Sequence, residues 1–187
     1  MGFEDITSCK QASEKIRQMK KYLIIPFPIV IMCLSIACIC PPTRLSDKQK
    51  EEIENSEYIF IGNVIEIDES NHTYKIRIIE SLKNCAIEGL VYEAKNWKSC
   101  DPYVNSTGKW LIYAQMEDGY IKTNLCGISR SFKNPQDVIS SIPPPPLIEN
   151  ESKKEYERKR ELWKQEDQKR SKQDLENEIE NLRKRFN

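Results

Sequence analysis

Cysteines are the residues of this chain that carry the clearest chemical information. Among 187 residues there are seven of them: Cys9, Cys33, Cys38, Cys40, Cys85, Cys100 and Cys126. The pair Cys38 and Cys40 lies in a stretch stiffened by Pro41-Pro42, so the two cannot easily bond each other and each is expected to reach a separate place. Widely spaced cysteines in an exported protein usually form disulfides. From Cys38 onwards five cysteines remain, an odd number, so at least one thiol stays free or is modified.

Other catalytic or metal-binding arrangements find little support in the sequence. The chain has a single histidine, His72, which argues against a site built from several histidines. No serine–histidine pair, paired carboxylates or phosphate-binding loop stands out, so the sequence predicts neither an enzyme nor a cofactor. The 29 basic and 29 acidic residues balance, and a net charge of zero gives no general attraction to nucleic acid.

The N-terminal region has the architecture of a secretory signal. Met19-Lys20-Lys21, in which Met19 is a natural translation start, precedes a largely apolar run over residues 22–37. That run contains two prolines and is short for a membrane-spanning helix. Ser35-Ile36-Ala37 fits the small-x-small pattern of a cleavage site. We therefore expect export, removal of residues 1–37 and a mature protein that begins at Cys38.

The same junction also resembles a bacterial lipoprotein signal. In Leu34-Ser35-Ile36-Ala37-Cys38 a small residue precedes the cysteine, although serine stands where leucine is usually preferred. Cys38 is therefore also a lipidation candidate, and a lipid there would tether the mature protein to a membrane. The expected location is extracellular, periplasmic or membrane-anchored, with the membrane reached only through the signal region or this lipid.

The middle of the chain predicts one short helix followed by five strands. The helix covers residues 46–55, with Ser46 as its N-cap and Gln49 completing a capping box. Segments rich in β-branched and aromatic residues predict the strands, at 58–68, 73–82, 90–94, 110–116 and 120–125. Gly62 predicts a β-bulge, and Asp118-Gly119 predicts a tight hairpin between the last two strands. This series indicates a mainly β protein with a small closed or partly closed barrel.

The C-terminal part changes character after the barrel. Four consecutive prolines at 143–146 predict a stiff spacer within a linker over residues 133–150. Residues 151–187 contain no glycine or proline and predict a long charged helix. Leu175, Ile179, Leu182 and Phe186 form one apolar seam with 4-3-4 spacing. We favour a solvated helix, and keep a weak coiled coil with self-association as the alternative.

Residues 38–132 resemble the N-terminal domain of the tissue inhibitors of metalloproteinases (TIMPs), within the netrin-like (NTR) superfamily. The matching segments are Cys38-Ile39-Cys40-Pro41-Pro42, the short helix, Phe60-Ile61-Gly62-Asn63-Val64, the strand at 74–83, Cys100, Trp110-Leu111-Ile112-Tyr113-Ala114 and Thr123-Asn124-Leu125-Cys126. The resemblance implies a five-stranded OB-type barrel, which agrees with the strand count. It further implies the disulfides Cys38–Cys100 and Cys40–Cys126.

The resemblance implies a specific role for the mature N-terminus. In this family the free α-amine and carbonyl oxygen of the first residue, here Cys38, chelate the zinc of a target metalloprotease and replace its catalytic water. The second side chain, here Ile39, enters the specificity pocket of the protease. Pro41 and Pro42 would keep this inhibitory ridge, residues 38–42, extended. The expected partner is therefore a zinc metalloprotease.

The chain also departs from the family pattern. The predicted helix lacks the family's further cysteine, Cys85 has no evident partner, and no cysteine-rich C-terminal subdomain follows. The sequence looks like a shorter, bacterial-type form. NTR-type barrels also serve as binding modules, so a secreted or lipid-anchored module without inhibitory activity is the alternative function. A lipid on Cys38 would abolish both its chelating amine and its disulfide.

Overall fold

The computed structural model describes Cys40 and residues 43–84, 86–97, 102–140, 142–149 and 151–186. Within these residues, helix α1 precedes six strands, a three-residue 3₁₀ turn and a long helix α2. Their bounds are α1 Leu45–Asn55, β1 Tyr58–Asp68, β2 Thr73–Lys83, β3 Val91–Lys95, β4 Gly108–Glu117, β5 Tyr120–Thr123, β6 Arg130–Ser131, the 3₁₀ turn Pro135–Asp137 and α2 Lys153–Phe186.

Strands β1 to β5 close into an OB-type barrel, which confirms the predicted fold class. Their order around the barrel is β1-β2-β3-β5-β4, and β4 pairs back with β1 to close it. The pairing of β3 with β5 is parallel and the other barrel pairings are antiparallel. The two-residue strand β6 adds to β4 outside this ring. Such a short strand carries no alternation, and the sequence did not predict it.

The predicted bulge at Gly62 is confirmed, and it lies in the strand that pairs with both β2 and β4. The register of β1 against β2 shifts between Ile61 and Gly62, while β1 pairs with β4 in continuous register. A Cβ at Gly62 would lie 2.6 Å from Ile76 Cδ1 on the neighbouring strand β2. Glycine therefore allows the close approach that a tightly curved strand requires.

Of two element ends predicted from local signals, the structure confirms the β4–β5 turn and not the N-terminus of α1. Asp118 and Gly119 form the β4–β5 turn with positive φ values of 52° and 84°, as a tight hairpin requires. The predicted N-cap at Ser46 is wrong. Helix α1 begins at Leu45, its N-cap residue is Arg44, and no side chain caps it.

The barrel interior holds the first of two apolar cores. On β2 the side chains of Tyr74, Ile76 and Ile78 are buried while Lys75 and Arg77 are exposed, as their alternation predicts. This interior core consists of Phe60, Val64, Tyr74, Ile76, Ile78, Ala86, Ala94, Val104, Trp110, Ile112, Ala114 and Ile121.

A second core lies on the outer face of β1 and β4. Its buried members are Ile59, Ile61, Leu82, Leu111, Tyr113, Ile128, Leu175, Ile179 and Leu182, and Leu45 and Ile53 of α1 pack against them. The first half of strand β1 is thus buried on both faces, since Ile59 and Ile61 point outward while Phe60 points inward.

Helix α2 forms, but the expectation that it is solvated throughout is wrong. Its seam residues Leu175, Ile179 and Leu182 are at most 4% exposed, because they pack on the outer face of the barrel. Phe186, the fourth residue of the seam, remains 37% exposed. The seam is therefore occupied by the chain's own barrel. The described residues of barrel, linker and helix all belong to one compact unit.

The linker is fastened to α2 by polar contacts. Asp167 Oδ1 accepts hydrogen bonds from Ser140 Oγ at 2.9 Å and from the Ile142 backbone N–H at 3.3 Å. Trp163 Nε1 donates to the Ile142 carbonyl at 3.4 Å. Within the described ranges, no helix is both long enough and apolar enough to cross a membrane.

Candidate functional site

The site that the sequence predicts is described at one residue of its ridge, Cys40. Cys38, Ile39, Pro41 and Pro42 lie outside the described residues, and so does Cys100. The predicted Cys38–Cys100 bridge, the chelating amine and the lipidation of Cys38 therefore stay predictions. Cys85 also falls outside the described residues.

Cys40 is bonded to Cys126, the partner that the resemblance implied. The sulfur atoms are 2.01 Å apart, the two Cα atoms are 5.4 Å apart, and 86 positions separate the residues in sequence. The bond ties Cys40, which is exposed and precedes α1, to the loop that follows β5. We call residues 124–128 the anchor loop, because they carry the cysteine that holds Cys40.

The anchor loop has an unusual backbone at its centre. Cys126 has a φ of 55°, in the left-handed region that L residues other than Asn and Asp rarely adopt. The Gly127 backbone N–H donates to the Asn124 carbonyl at 3.0 Å and closes the turn. A Cβ at Gly127 would lie 2.8 Å from that carbonyl and 2.8 Å from Glu52 Oε2. The loop is thus pressed against the carboxylate of Glu52.

Glu52 of α1 is hydrogen-bonded to the anchor loop. Glu52 is only 2% exposed, and its Oε2 accepts a hydrogen bond from Asn124 Nδ2 at 3.2 Å. The same Nδ2 also donates to Ser56 Oγ at 2.8 Å. The Ile128 backbone N–H donates to the Glu52 carboxylate as well. One carboxylate therefore bonds both ends of the loop.

The electrostatics of Glu52 follow from its burial. Desolvation raises the pKa of Glu52 from 4.5 to about 7, and the hydrogen bond from Asn124 and the charge of Lys48 only partly oppose this. Lys48 is itself paired with Glu51, 2.9 Å away. Glu52 consequently titrates near neutral pH, whereas an exposed glutamate is fully ionised there.

A polar cleft of about 330 Å³ opens beside the anchor loop. Its lining residues are Glu51, Glu52, Asn55, Trp97, Gln115, Glu117, Lys122, Thr123, Asn124 and Leu125. Lys122 Nζ lies 3.9 Å above the Trp97 ring and 2.7 Å from Glu117 Oε2, so its charge is held on both sides. Trp97 Nε1 donates to the Thr123 carbonyl at 2.8 Å. The cleft walls are therefore fixed largely by internal contacts.

A buried polar cluster joins α2 to the rest of the molecule. The Glu178 carboxylate accepts hydrogen bonds from the Tyr113 hydroxyl, from Arg130 Nη2 and, at 2.9 Å, from Gln49 Nε2. The side chains of Arg130 and Glu178 are 2% and 3% exposed. Burial and the neighbouring Glu178 carboxylate raise the pKa of the Tyr113 phenol. Glu178 thus joins α2 to α1, β4 and β6.

Neither Glu52 nor Glu178 carries a functional signal in the sequence. Each is one glutamate among many on a charged helix, and only its burial distinguishes it. In the part of the chain that the structure describes, no group of three or more His, Cys, Asp or Glu side chains could hold a metal ion. Comparison with protein-family models and with curated proteins finds no match to this chain.

Proposed function

We propose that the mature chain is a TIMP-like inhibitor of zinc metalloproteases, which acts through a free N-terminal Cys38. The observation that carries the proposal is the Cys40–Cys126 disulfide at one end of an OB-type barrel. Two residues of fully extended chain span about 7 Å, so a fixed Cys40 confines a terminus at Cys38 to a small volume. An inhibitory terminus requires such confinement, because ordering it at binding would reduce affinity.

The proposed chemistry needs only the first residue of the mature protein. The α-amine and carbonyl oxygen of Cys38 would chelate the protease zinc and displace the water that serves as nucleophile. A free α-amine has a pKa of about 8, so its proton is readily lost to a metal near neutral pH. The side chain of Ile39 would then fill an apolar specificity pocket, and Pro41-Pro42 would keep the following ridge extended.

The alternative is a lipid-anchored or secreted NTR-type binding module without inhibitory activity. It is favoured by the sequence Leu34-Ser35-Ile36-Ala37-Cys38, which resembles a lipoprotein signal. A lipidated cysteine uses its sulfur, and its nitrogen is normally acylated, so neither chelation nor a Cys38–Cys100 bridge would remain. Mass spectrometry of the mature N-terminus tests the anchored form: a diacylglyceryl group on Cys38 would exclude the inhibitor, and an unmodified amine would exclude the anchored form and leave the secreted module to the inhibition assay.

The decisive test compares two proteins that differ only at the N-terminus. One begins at Cys38, and the other carries a single alanine before it, which converts the amine into an amide. Both are assayed against a panel of zinc endopeptidases. We expect the first to inhibit at least one enzyme and the extension to weaken inhibition roughly 100-fold, equivalent to about 3 kcal/mol of lost metal coordination. Equal inhibition by both proteins, or none by either, would contradict the proposal.

A further inference from the structure

The anchor loop is held by hydrogen bonds to α1 as well as by its disulfide. Glu52 projects from α1 into the turn formed by residues 124–128 and accepts hydrogen bonds from the Asn124 side chain and the Ile128 backbone. Between these two donors lie Cys126, with its left-handed φ of 55°, and Gly127. A residue in that conformation persists only where its surroundings hold it, since the αL region costs about 1 kcal/mol or more outside glycine.

We propose that Glu52 is a positioning residue for the inhibitory ridge. Its carboxylate fixes the anchor loop, and the disulfide from Cys126 then fixes the position of Cys40. The inference rests on the proposed function for its purpose, whereas the contact between Glu52 and the loop is independent of any protease. Glu52 would touch neither the target enzyme nor its zinc. It would act through the loop and the disulfide alone.

The close fit of the loop on Glu52 supports this role over that of a general core contact. A Cβ at Gly127 would come within 2.8 Å of Glu52 Oε2, so the carboxylate defines the path that the loop follows. Asn124 adds a second tie, because its Nδ2 also donates to Ser56 Oγ at the end of α1. Asn124, Gly127 and Ile128 of the loop therefore all lie against α1 or its C-cap residue Ser56.

The charged and titratable groups around Glu52 make its own titration measurable. Lys48 and Glu51 face it from α1, and Tyr113 faces it from β4. Lys48 is already paired with Glu51, and burial keeps the Tyr113 phenol protonated throughout the neutral range. His72 is the only histidine of the chain and lies in the β1–β2 turn. The α-amine of Cys38, with an ordinary pKa of about 8, also titrates in this range, so a titration near pH 7 in the anchor loop is assigned to Glu52 by its loss in Glu52→Gln.

The test follows the backbone amide shifts of Gly127 and Ile128 by NMR in the mature protein between pH 5 and 9. We expect both shifts to titrate with a midpoint at about pH 7, and this titration to vanish in Glu52→Gln. The matched control is Glu51→Gln on the same helix, whose side chain is 50% exposed and which should leave the titration in place. Identical titration curves in wild type and Glu52→Gln would overturn the proposal.

A second variant, Asn124→Ala, removes one tie without altering α1. The Asn124 hydrogen bond lowers the pKa of Glu52, so its loss should move the titration midpoint upward. Exchange of the Ile128 amide hydrogen should accelerate about tenfold or more in Glu52→Ala, and less in Glu52→Gln, which keeps an acceptor oxygen. An unmoved midpoint in Asn124→Ala would contradict the contact.

Inhibition assays complete the test and separate the two proposals. If the mature protein inhibits a protease, Glu52→Ala should weaken inhibition about tenfold or more while Glu51→Ala does not, and Glu52→Gln should restore part of it. Unchanged inhibition by Glu52→Ala would refute the positioning role and leave the proposed function standing. If no protease is inhibited, the proposed function and the ridge-positioning role fail together, and the NMR titration still decides whether Glu52 fixes the loop.

Discussion

Replacing Glu178 by alanine removes the carboxylate that hydrogen-bonds α2 to α1, β4 and β6. The side chain is 3% exposed and pairs with Arg130, which is 2% exposed, so the substitution leaves a guanidinium charge buried without a counter-charge. Breaking a buried pair in this way costs about 3–5 kcal/mol. The Tyr113 hydroxyl and the Gln49 amide lose their acceptor as well. Because domains of this kind have about 5–15 kcal/mol of stability, the loss is a large fraction of the total.

The assay is urea-induced unfolding at pH 7, followed by circular dichroism. The matched control is Glu176→Ala, an exposed position on the same helix, which should change the free energy of unfolding by less than about 0.5 kcal/mol. In a double-mutant cycle, Arg130→Met with Glu178→Leu should lose less than the sum of the single substitutions, since no unpaired charge remains. A loss below about 1 kcal/mol in Glu178→Ala would refute the reasoning.

Three further predictions concern the second core, the disulfide and the pH dependence of stability. Ile179→Ala should cost about 2–5 kcal/mol in the same urea assay, while Leu162→Ala, at an exposed site of α2, should stay within about 0.5 kcal/mol; equal losses would contradict the packing of α2 on the barrel. Cys40→Ser opens a loop that spans 86 positions and should cost about 4.6 kcal/mol in the chain-entropy model, so an unchanged midpoint would argue against the bond to Cys126. Since burial raises the folded-state pKa of Glu52 to about 7, its protonation stabilises the fold below pH 4.5, and this contribution, about 3 kcal/mol, is lost as the pH rises through 7. Between pH 4.5 and 8, wild type should lose about 3 kcal/mol more of its unfolding free energy than Glu52→Gln does; the same pH dependence in both proteins would contradict this contribution.

Much of the barrel could be predicted because its strands follow simple local rules. The alternation of Tyr74, Ile76 and Ile78 defines the inward face of β2, and Asp118-Gly119 fixes the hairpin that joins β4 and β5. Strand β1 was predicted with its observed bounds, 58–68, because β-branched and aromatic residues dominate it. These signals need no knowledge of tertiary contacts.

The position of α2 could not be predicted from the same rules. Its composition is that of a solvated helix, and its apolar seam is short, so local pattern alone favoured exposure. The apolar outer face of β1 and β4 overrides that pattern, because Ile59, Ile61 and Leu111 would be exposed to water if α2 did not pack on them. In the sequence, that face is visible only as a lack of apolar–polar alternation in the strands. Any strand that is buried on both faces shows the same pattern, so the pattern does not identify which element covers it.

The candidate site was predictable only where covalent chemistry fixes it. The cysteine spacing and the family resemblance led to the pair Cys40 and Cys126, which the structure contains. Glu52 was missed because its role depends on a loop 72 positions away in sequence, and nothing in the helix itself distinguishes it from the exposed Glu51. Long-range fit of this kind appears only once the chain is folded.

The most direct measurement is of the metal itself in a protease that the mature protein inhibits. Its zinc is replaced by Co²⁺, whose visible absorption depends on the number and type of its ligands. We predict that the protein beginning at Cys38 changes the Co²⁺ spectrum and that the change saturates at one equivalent, while the alanine-extended protein leaves the spectrum unaltered. Inhibition accompanied by an unchanged Co²⁺ spectrum would contradict chelation by the N-terminal amine.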